Sequence, residues 1–220
     1  MLKTQLLQWL IDVGVSDIVS ETSDNIIEEK EIIPQLNIST LVELRQVVAN
    51  VDIPMKDCAI NMVFGTGNEN ADILLLGEAP GAEEDKQGLP FVGQSGQLLD
   101  KVLESVGLDR TKVYITNILP WRPPGNRTPT NDEILLFRPY VLKHIELINP
   151  KIVVCLGGTA AKALLQTTEG IMKLRGRWLT VDGINAKVFA TFHPAYLLRS
   201  PGQKREAWRD FLTITSEATR

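Results

Sequence analysis

Four places in the 220-residue chain hold residue types able to do chemistry, and each closes a short apolar run. Glu78 stands one residue beyond Ala71–Leu76 (ADILLL), and Asn117 ends Lys112–Asn117 (KVYITN). Gly157-Gly158-Thr159 follows Lys151–Leu156 (KIVVCL), and His193, one of two histidines, follows Ala186–Phe192. Apolar runs of this length suit strands buried on both faces. In a parallel sheet such strands end on one edge, and ligands bind there. A carboxylate, a carboxamide, an imidazole and a glycine turn suited to a phosphate at a helix N-terminus would then line one cleft. Singly, each has a plainer reading. Glu78 suits capping, Asn117 suits a turn, His193 before Pro194 suits a structural role, and Gly-Gly-Thr is too short for a P-loop or dinucleotide fingerprint. Their shared edge favours a functional cleft without naming a reaction.

The elements that must position these groups alternate between strand and helix. A long, glycine-punctuated loop runs from Gly77 past Glu83-Glu84-Asp85, Phe91 and Gly93 into a helix over Ser95–Val106. A loop that long is uncommon in a compact domain unless it is functional. Ile118–Pro129 (ILPWRPPGNRTP) is a second loop, rigid and basic, and Thr130-Asn131-Asp132-Glu133 is a capping box for a helix reaching Ile148 before Pro150. Ala160–Gln166 and Gln203–Ile214 read as helices; Arg177–Val181 and Ala186–Phe192 read as a hairpin with a two-residue turn at Asp182-Gly183. The pattern predicts the α/β class: a three-layer α/β/α sandwich with a mainly parallel central sheet. Ahead of it, residues 1–14 read as an amphipathic helix, 15–37 as an acidic linker, and Thr40–Glu43 as a capping box opening a helix to about Asn50. The division is therefore a helical and linker extension over 1–50 and a catalytic domain over 51–220.

Composition excludes several classes. No apolar run approaches membrane-spanning length. The first residues carry Asp12 and lack a small-residue cleavage site, so they read as helix and not as a secretion signal. Two cysteines, Cys58 and Cys155, are too few for a disulfide framework and suit a reducing compartment, the cytoplasm. The net charge of −4 conceals an asymmetry. Residues 1–100 hold 5 Lys/Arg against 17 Asp/Glu, whereas residues 101–220 hold 18 against 10. A basic half is either the footprint of a polyanion or ordinary solvated surface, and charge alone does not decide.

Three motifs decide further. Gly77-Glu78-Ala79-Pro80-Gly81 with Glu84-Asp85 and Gly88-x-Pro90-Phe91-Val92-Gly93, then Val113-Tyr114-Ile115-Thr116-Asn117, then His193-Pro194-Ala195-Tyr196-Leu197-Leu198-Arg199, resemble the three signatures of the uracil-DNA glycosylase superfamily, family 4. The likeness runs from about Ala71 to Phe211, with the motifs in order. It implies a monofunctional hydrolase that flips uracil out of DNA, cleaves its N-glycosidic bond and leaves an abasic site. The implied partner is uracil-containing DNA, and the protein would act as a monomer with no membrane association.

By the same resemblance, Phe91 stacks on the base and Asn117 pairs with its edge. His193 and backbone N–H groups around Ala79 stabilise the charge on the leaving uracil, and Glu78 orients water. Glu84 crowds the position of thymine's methyl. Leu197 and Leu198 are candidates for a wedge in the vacated stack, and Arg122, Arg127 and Arg199, with Lys204 and Arg205, for phosphate contacts. Many family 4 members hold an iron–sulfur cluster on four cysteines. Here Trp121 and Phe137 stand at the downstream positions and only Cys58 remains upstream, so no cluster, metal or other cofactor is expected, and the two aromatic rings are expected to pack together. Two other readings stay open: a DNA-binding module that keeps the uracil pocket but is catalytically weak, and a nucleotide-binding enzyme using Gly157-Gly158-Thr159.

Overall fold

The computed structural model describes residues 37–219; the helix expected over 1–14 and most of the acidic linker lie outside them. The strands are β1 (Thr66–Gly67), β2 (Ile73–Gly77), β3 (Val113–Asn117), β4 (Ile152–Leu156), β5 (Trp178–Leu179) and β6 (Lys187–Thr191). They form one sheet in the order β1-β3-β2-β4-β6-β5, parallel through the inner four and antiparallel at both short edges. The helices are α1 (Leu41–Ala49), α2 (Ala82–Gln87), α3 (Gln94–Ser105), α4 (Asn131–Ile148), α5 (Gly158–Leu165), α6 (Ile171–Leu174), α7 (Pro194–Arg199) and α8 (Lys204–Ala218).

Every residue of β2, β3 and β4 is buried, as continuous apolar runs require. Alternate side chains serve opposite layers. Ile73, Leu75, Val113, Ile115, Ile152 and Val154 meet Leu99 and Leu103 of α3 and Phe211 and Ile214 of α8. On the other face Tyr114 shares a 3.0 Å hydrogen bond with His144 of α4, and Thr116 Oγ1 donates to the Phe64 carbonyl at 2.7 Å. These are the three expected layers. Cα register pairs Gly77 with Asn117 and Leu156 with Thr191, so the candidate groups all leave the sheet at one edge. Strand order reverses between β2 and β4, the kind of place where α/β sheets open a crevice.

The capping box at α4 closes in both directions: Glu133 N–H donates to Thr130 Oγ1 at 3.2 Å, and Thr130 N–H donates to Glu133 Oε2 at 2.8 Å. At α1 only half the box forms, because the Glu43 carboxylate accepts from Ser39 N–H at 2.8 Å instead. Helix α1 buries Leu44 and Val48 and packs on α4, so the boundary at residue 50 falls inside this packed body.

Two local expectations are corrected, and two short helices are added. The glycine-rich loop after β2 contains α2, whose first turn carries Glu83, Glu84 and Asp85, favourable at a helix N-terminus, and which stops at left-handed Gly88 (φ 68°). The hairpin lacks a two-residue turn. Trp178 pairs with Phe189 and Leu179 with Val188, which leaves residues 180–186 as the connection. Arg177 and residues 180–181 are therefore not strand. Finally, α6 and α7, at four and six residues, are too short to show a helical period.

Burial holds the His144 imidazole at about 4, well below its ordinary value. Between pH 6.5 and about 4 the unfolded chain binds a proton there that the folded chain does not, so stability falls as pH falls. Urea unfolding should show a loss of about 2 kcal/mol from this group between pH 7 and pH 5, and His144→Gln should flatten that dependence. An unchanged pH slope in the variant would contradict it.

Candidate active site

At the carboxyl edge of the sheet lies a cavity of about 540 Å³, and Glu78, Ala79, Glu84, Phe91, Asn117 and His193 all line it. The three motifs, separated by up to 115 positions between Glu78 and His193, converge as the strand register requires.

Asn117 ends β3 with its side chain buried, and its amide oxygen has no hydrogen-bond partner. A buried unpaired acceptor costs about 1–3 kcal/mol, and the residue that carries it here lines the cavity. Gly77, beside it in β2, makes the arrangement possible. A Cβ there would overlap the Asn117 amide oxygen and lie 2.7 Å from Cε2 and 2.8 Å from Cζ of Phe91. The missing side chain thus seats a carboxamide and an aromatic ring side by side. Phe91 is 5 % exposed and belongs to the α3–α8 core while also lining the cavity. Its backbone is left-handed (φ 54°).

His193 caps α7. Its Nδ1 accepts from the Ala195 N–H at 3.0 Å, which fixes the neutral tautomer with the proton on Nε2. Burial depresses the imidazole to about 4, the Arg199 charge pushes the same way, and Glu84 opposes both. The ring lies 5.6 Å from that of Phe91, centroid to centroid. Gly157 (φ 100°) leaves it room, since a Cβ at that position would stand 2.9 Å from the His193 Cβ. The Gly157 N–H donates to the Thr191 carbonyl at 2.9 Å and is not turned out toward an anion. This glycine turn seats the histidine.

Glu84 works harder than expected. Its Oε1 accepts from the N–H groups of Val92 (3.0 Å) and Gly93 (2.9 Å), and its Oε2 accepts from Gly81 (3.2 Å), so one carboxylate caps the start of α2 and ties it to the far end of the loop carrying Phe91. Glu78 lines the cavity half-buried. Of the wedge pair, Leu197 is corrected: it is 2 % exposed and packs with Phe192 and Ala207 in the core, while Leu198 is 41 % exposed. Arg127 and Arg199 reach the cavity wall, and Arg127 is also held in a two-pronged ion pair by Glu133. Arg122 is not part of the lining; it donates to Asn126 Oδ1 at 2.6 Å with Asp85 3.9 Å away, and so braces the loop. Ser95, Asn126 and Tyr196 also line the wall and had no role assigned from the sequence, although Tyr196 lies within the third motif and Ser95 just beyond the first.

The residues do not fit a four-thiolate cluster. The chain has two cysteines; Cys155 is buried in β4 with its thiol pushed up to about 12, and Cys58 is exposed. Trp121 and Phe137 pack together as expected, centroids 5.9 Å apart, and the Lys56 ammonium lies 5.2 Å from the Trp121 ring. Among the described residues no group of three or more His, Cys, Asp or Glu is arranged to hold a metal.

The model of the uracil DNA glycosylase superfamily matches residues 64–212, and the chain belongs to that superfamily. Within it, the chain is 42 % identical over 160 residues to the type-4 uracil-DNA glycosylase of Archaeoglobus fulgidus, covering 70 % of this chain and 80 % of that one. It is 45 % identical over 142 residues to the type-4 uracil-DNA glycosylase of Thermotoga maritima, covering 64 % and 73 %. A DNA polymerase of Bacillus phage SP01 is 35 % identical over 138 residues, 62 % of this chain but 15 % of that protein.

The His193 geometry makes a spectroscopic prediction. Its ring nitrogens should report the Nε2–H tautomer and stay neutral on acidification to about pH 4. A midpoint near 6.5 in an NMR titration would show that the imidazole is not held as described.

Proposed function

We propose that this chain removes uracil from DNA by hydrolysing the N-glycosidic bond of an extruded nucleotide, releasing free uracil and leaving an abasic site. The observation that carries the proposal is the meeting of Asn117, whose buried amide oxygen has no partner, with Phe91 and His193 around one cavity. Uracil offers an N3–H donor beside the O4 acceptor, which a carboxamide matches with its oxygen and its NH2. Cytosine presents the reverse pattern and would leave polar groups unpaired on both sides, a strong basis for rejection. Phe91 stacks on the base, and Glu84 and the loop it braces close the side of the ring where thymine carries its methyl.

Cleavage expels uracil as an anion and leaves positive charge on the sugar. A neutral His193 donates from Nε2–H to the O2 of the leaving base, with backbone N–H groups near Ala79 alongside. Such donors, placed where charge develops, are worth about 2.7–4 kcal/mol each. A histidine held neutral loses no proton to the reaction; it stabilises charge by hydrogen bonding. Glu78 orients the attacking water and faces the cationic sugar. Leu198 fills the gap left in the stack, and Arg127 and Arg199 meet flanking phosphates. The catalytic unit acts as a monomer in the cytoplasm. It needs no iron–sulfur cluster, because Trp121, Phe137 and Lys56 take up the space around the positions that the resemblance gives to thiolates. No helix among the described residues is long and apolar enough to cross a membrane.

Uracil release from U:G, U:A and single-stranded oligonucleotides tests the reading. His193→Ala should cut the rate about 10²–10³-fold with weaker effects on DNA binding, and Asn117→Ala should abolish release or relax base choice. Binding without release by the wild-type protein would favour a non-catalytic DNA-binding module. For the cluster, protein purified under anaerobic conditions should contain no stoichiometric iron; bound iron would overturn that part.

A further inference from the structure

The Phe91 backbone is held from outside the cavity. Its left-handed φ of 54° is uncommon for a bulky residue and persists only where surroundings enforce it. Arg110, in the turn before β3, supplies the restraint. Its Nη1 donates to the Pro90 carbonyl at 3.1 Å, its Nη2 donates to the Phe91 carbonyl, and its Nε donates to Asp100 Oδ1 of α3 at 2.8 Å. From below, Gly96 of α3 closes the space, since a Cβ there would overlap the Phe91 carbonyl. Three guanidinium nitrogens thus bond two successive carbonyls and one carboxylate, a fork that a lysine cannot reproduce. Neither Arg110 nor Asp100 lines the cavity.

We infer that Arg110, oriented by Asp100, is the positioning residue that locks the Phe91 ring against Gly77 and Asn117, so that base stacking depends on an ion pair outside the pocket. This inference rests on the reading that Phe91 stacks the base. The Glu84 carboxylate holds the next two amides, at Val92 and Gly93, so the loop is pinned on both sides of the ring. Glu84 fixes where the loop runs; Arg110 fixes the carbonyls that set the ring's direction.

A double-mutant cycle reads the coupling. Arg110→Ala alone should lower kcat/KM for uracil release about 100-fold, the cost of a misplaced positioning group, and Arg110→Lys should not restore it. In a Phe91→Ala background, adding Arg110→Ala should change kcat/KM no more than about twofold. An equal loss in both backgrounds would overturn the inference, because a general structural effect does not need the ring. Hydrogen–deuterium exchange over residues 90–96 supplies a readout independent of catalysis. Arg110→Ala should speed exchange there while the amides of β2 and β3 stay protected; unchanged exchange at 90–96 would also overturn it. Wild-type protein that releases no uracil would defeat the proposed function, while the exchange result would still judge the clamp.

Discussion

The site depends on keeping a hydrogen-bond acceptor buried and unsatisfied. The Asn117 amide oxygen carries that cost at the end of a strand whose other residues are all buried. Nothing local stabilises it. It persists because β3 is bonded along its length to β2 in parallel register, and because Gly77 yields the volume the amide needs. The sheet supplies the rigidity, and the strand end spends some of that stability on a group ready for a ligand. The Phe91 ring sits under the same constraint, since one absent side chain makes room for both.

The same economy governs the charges. His193 is neutral because burial disfavours imidazolium, the Arg199 charge adds to that, and the Ala195 N–H occupies the nitrogen that would otherwise take a proton. The result is a neutral ring, held by one nitrogen, on the cavity wall. Glu84 is spent on three backbone amides. Glu78 carries no comparable backbone task among the hydrogen bonds of this loop, which suits the proposed role facing water and sugar. Beside α4, Trp121, Phe137 and Lys56 join in aromatic and cation contacts.

Much of this was legible in the sequence, for reasons that differ by element. The inner strands announced themselves as apolar runs because both their faces are covered, and the cap at Thr130 was readable because its partner lies three residues away. The convergence of Glu78, Asn117 and His193 followed from parallel topology alone. What stayed hidden depended on tertiary partners. Leu197 and Leu198 are neighbours on a six-residue helix with no period to separate core from surface. Asp182-Gly183 does mark a turn, with Gly183 at φ 88°, but the pairing of Trp178 with Phe189 sets the register and lengthens the connection. The hold of Arg110 on Pro90 and Phe91 spans about twenty positions and ends on carbonyls, which no side-chain pattern records.

The central claim is that Asn117 reads the pyrimidine edge through its unpaired oxygen. Selective isotope labelling of the asparagine side chains, with titration by free uracil and then by cytosine, tests it directly. The account predicts that the Asn117 carboxamide signals move saturably with uracil and stay in place with cytosine. Equal responses to the two bases, or none to uracil while the protein still cleaves uracil from DNA, would contradict it.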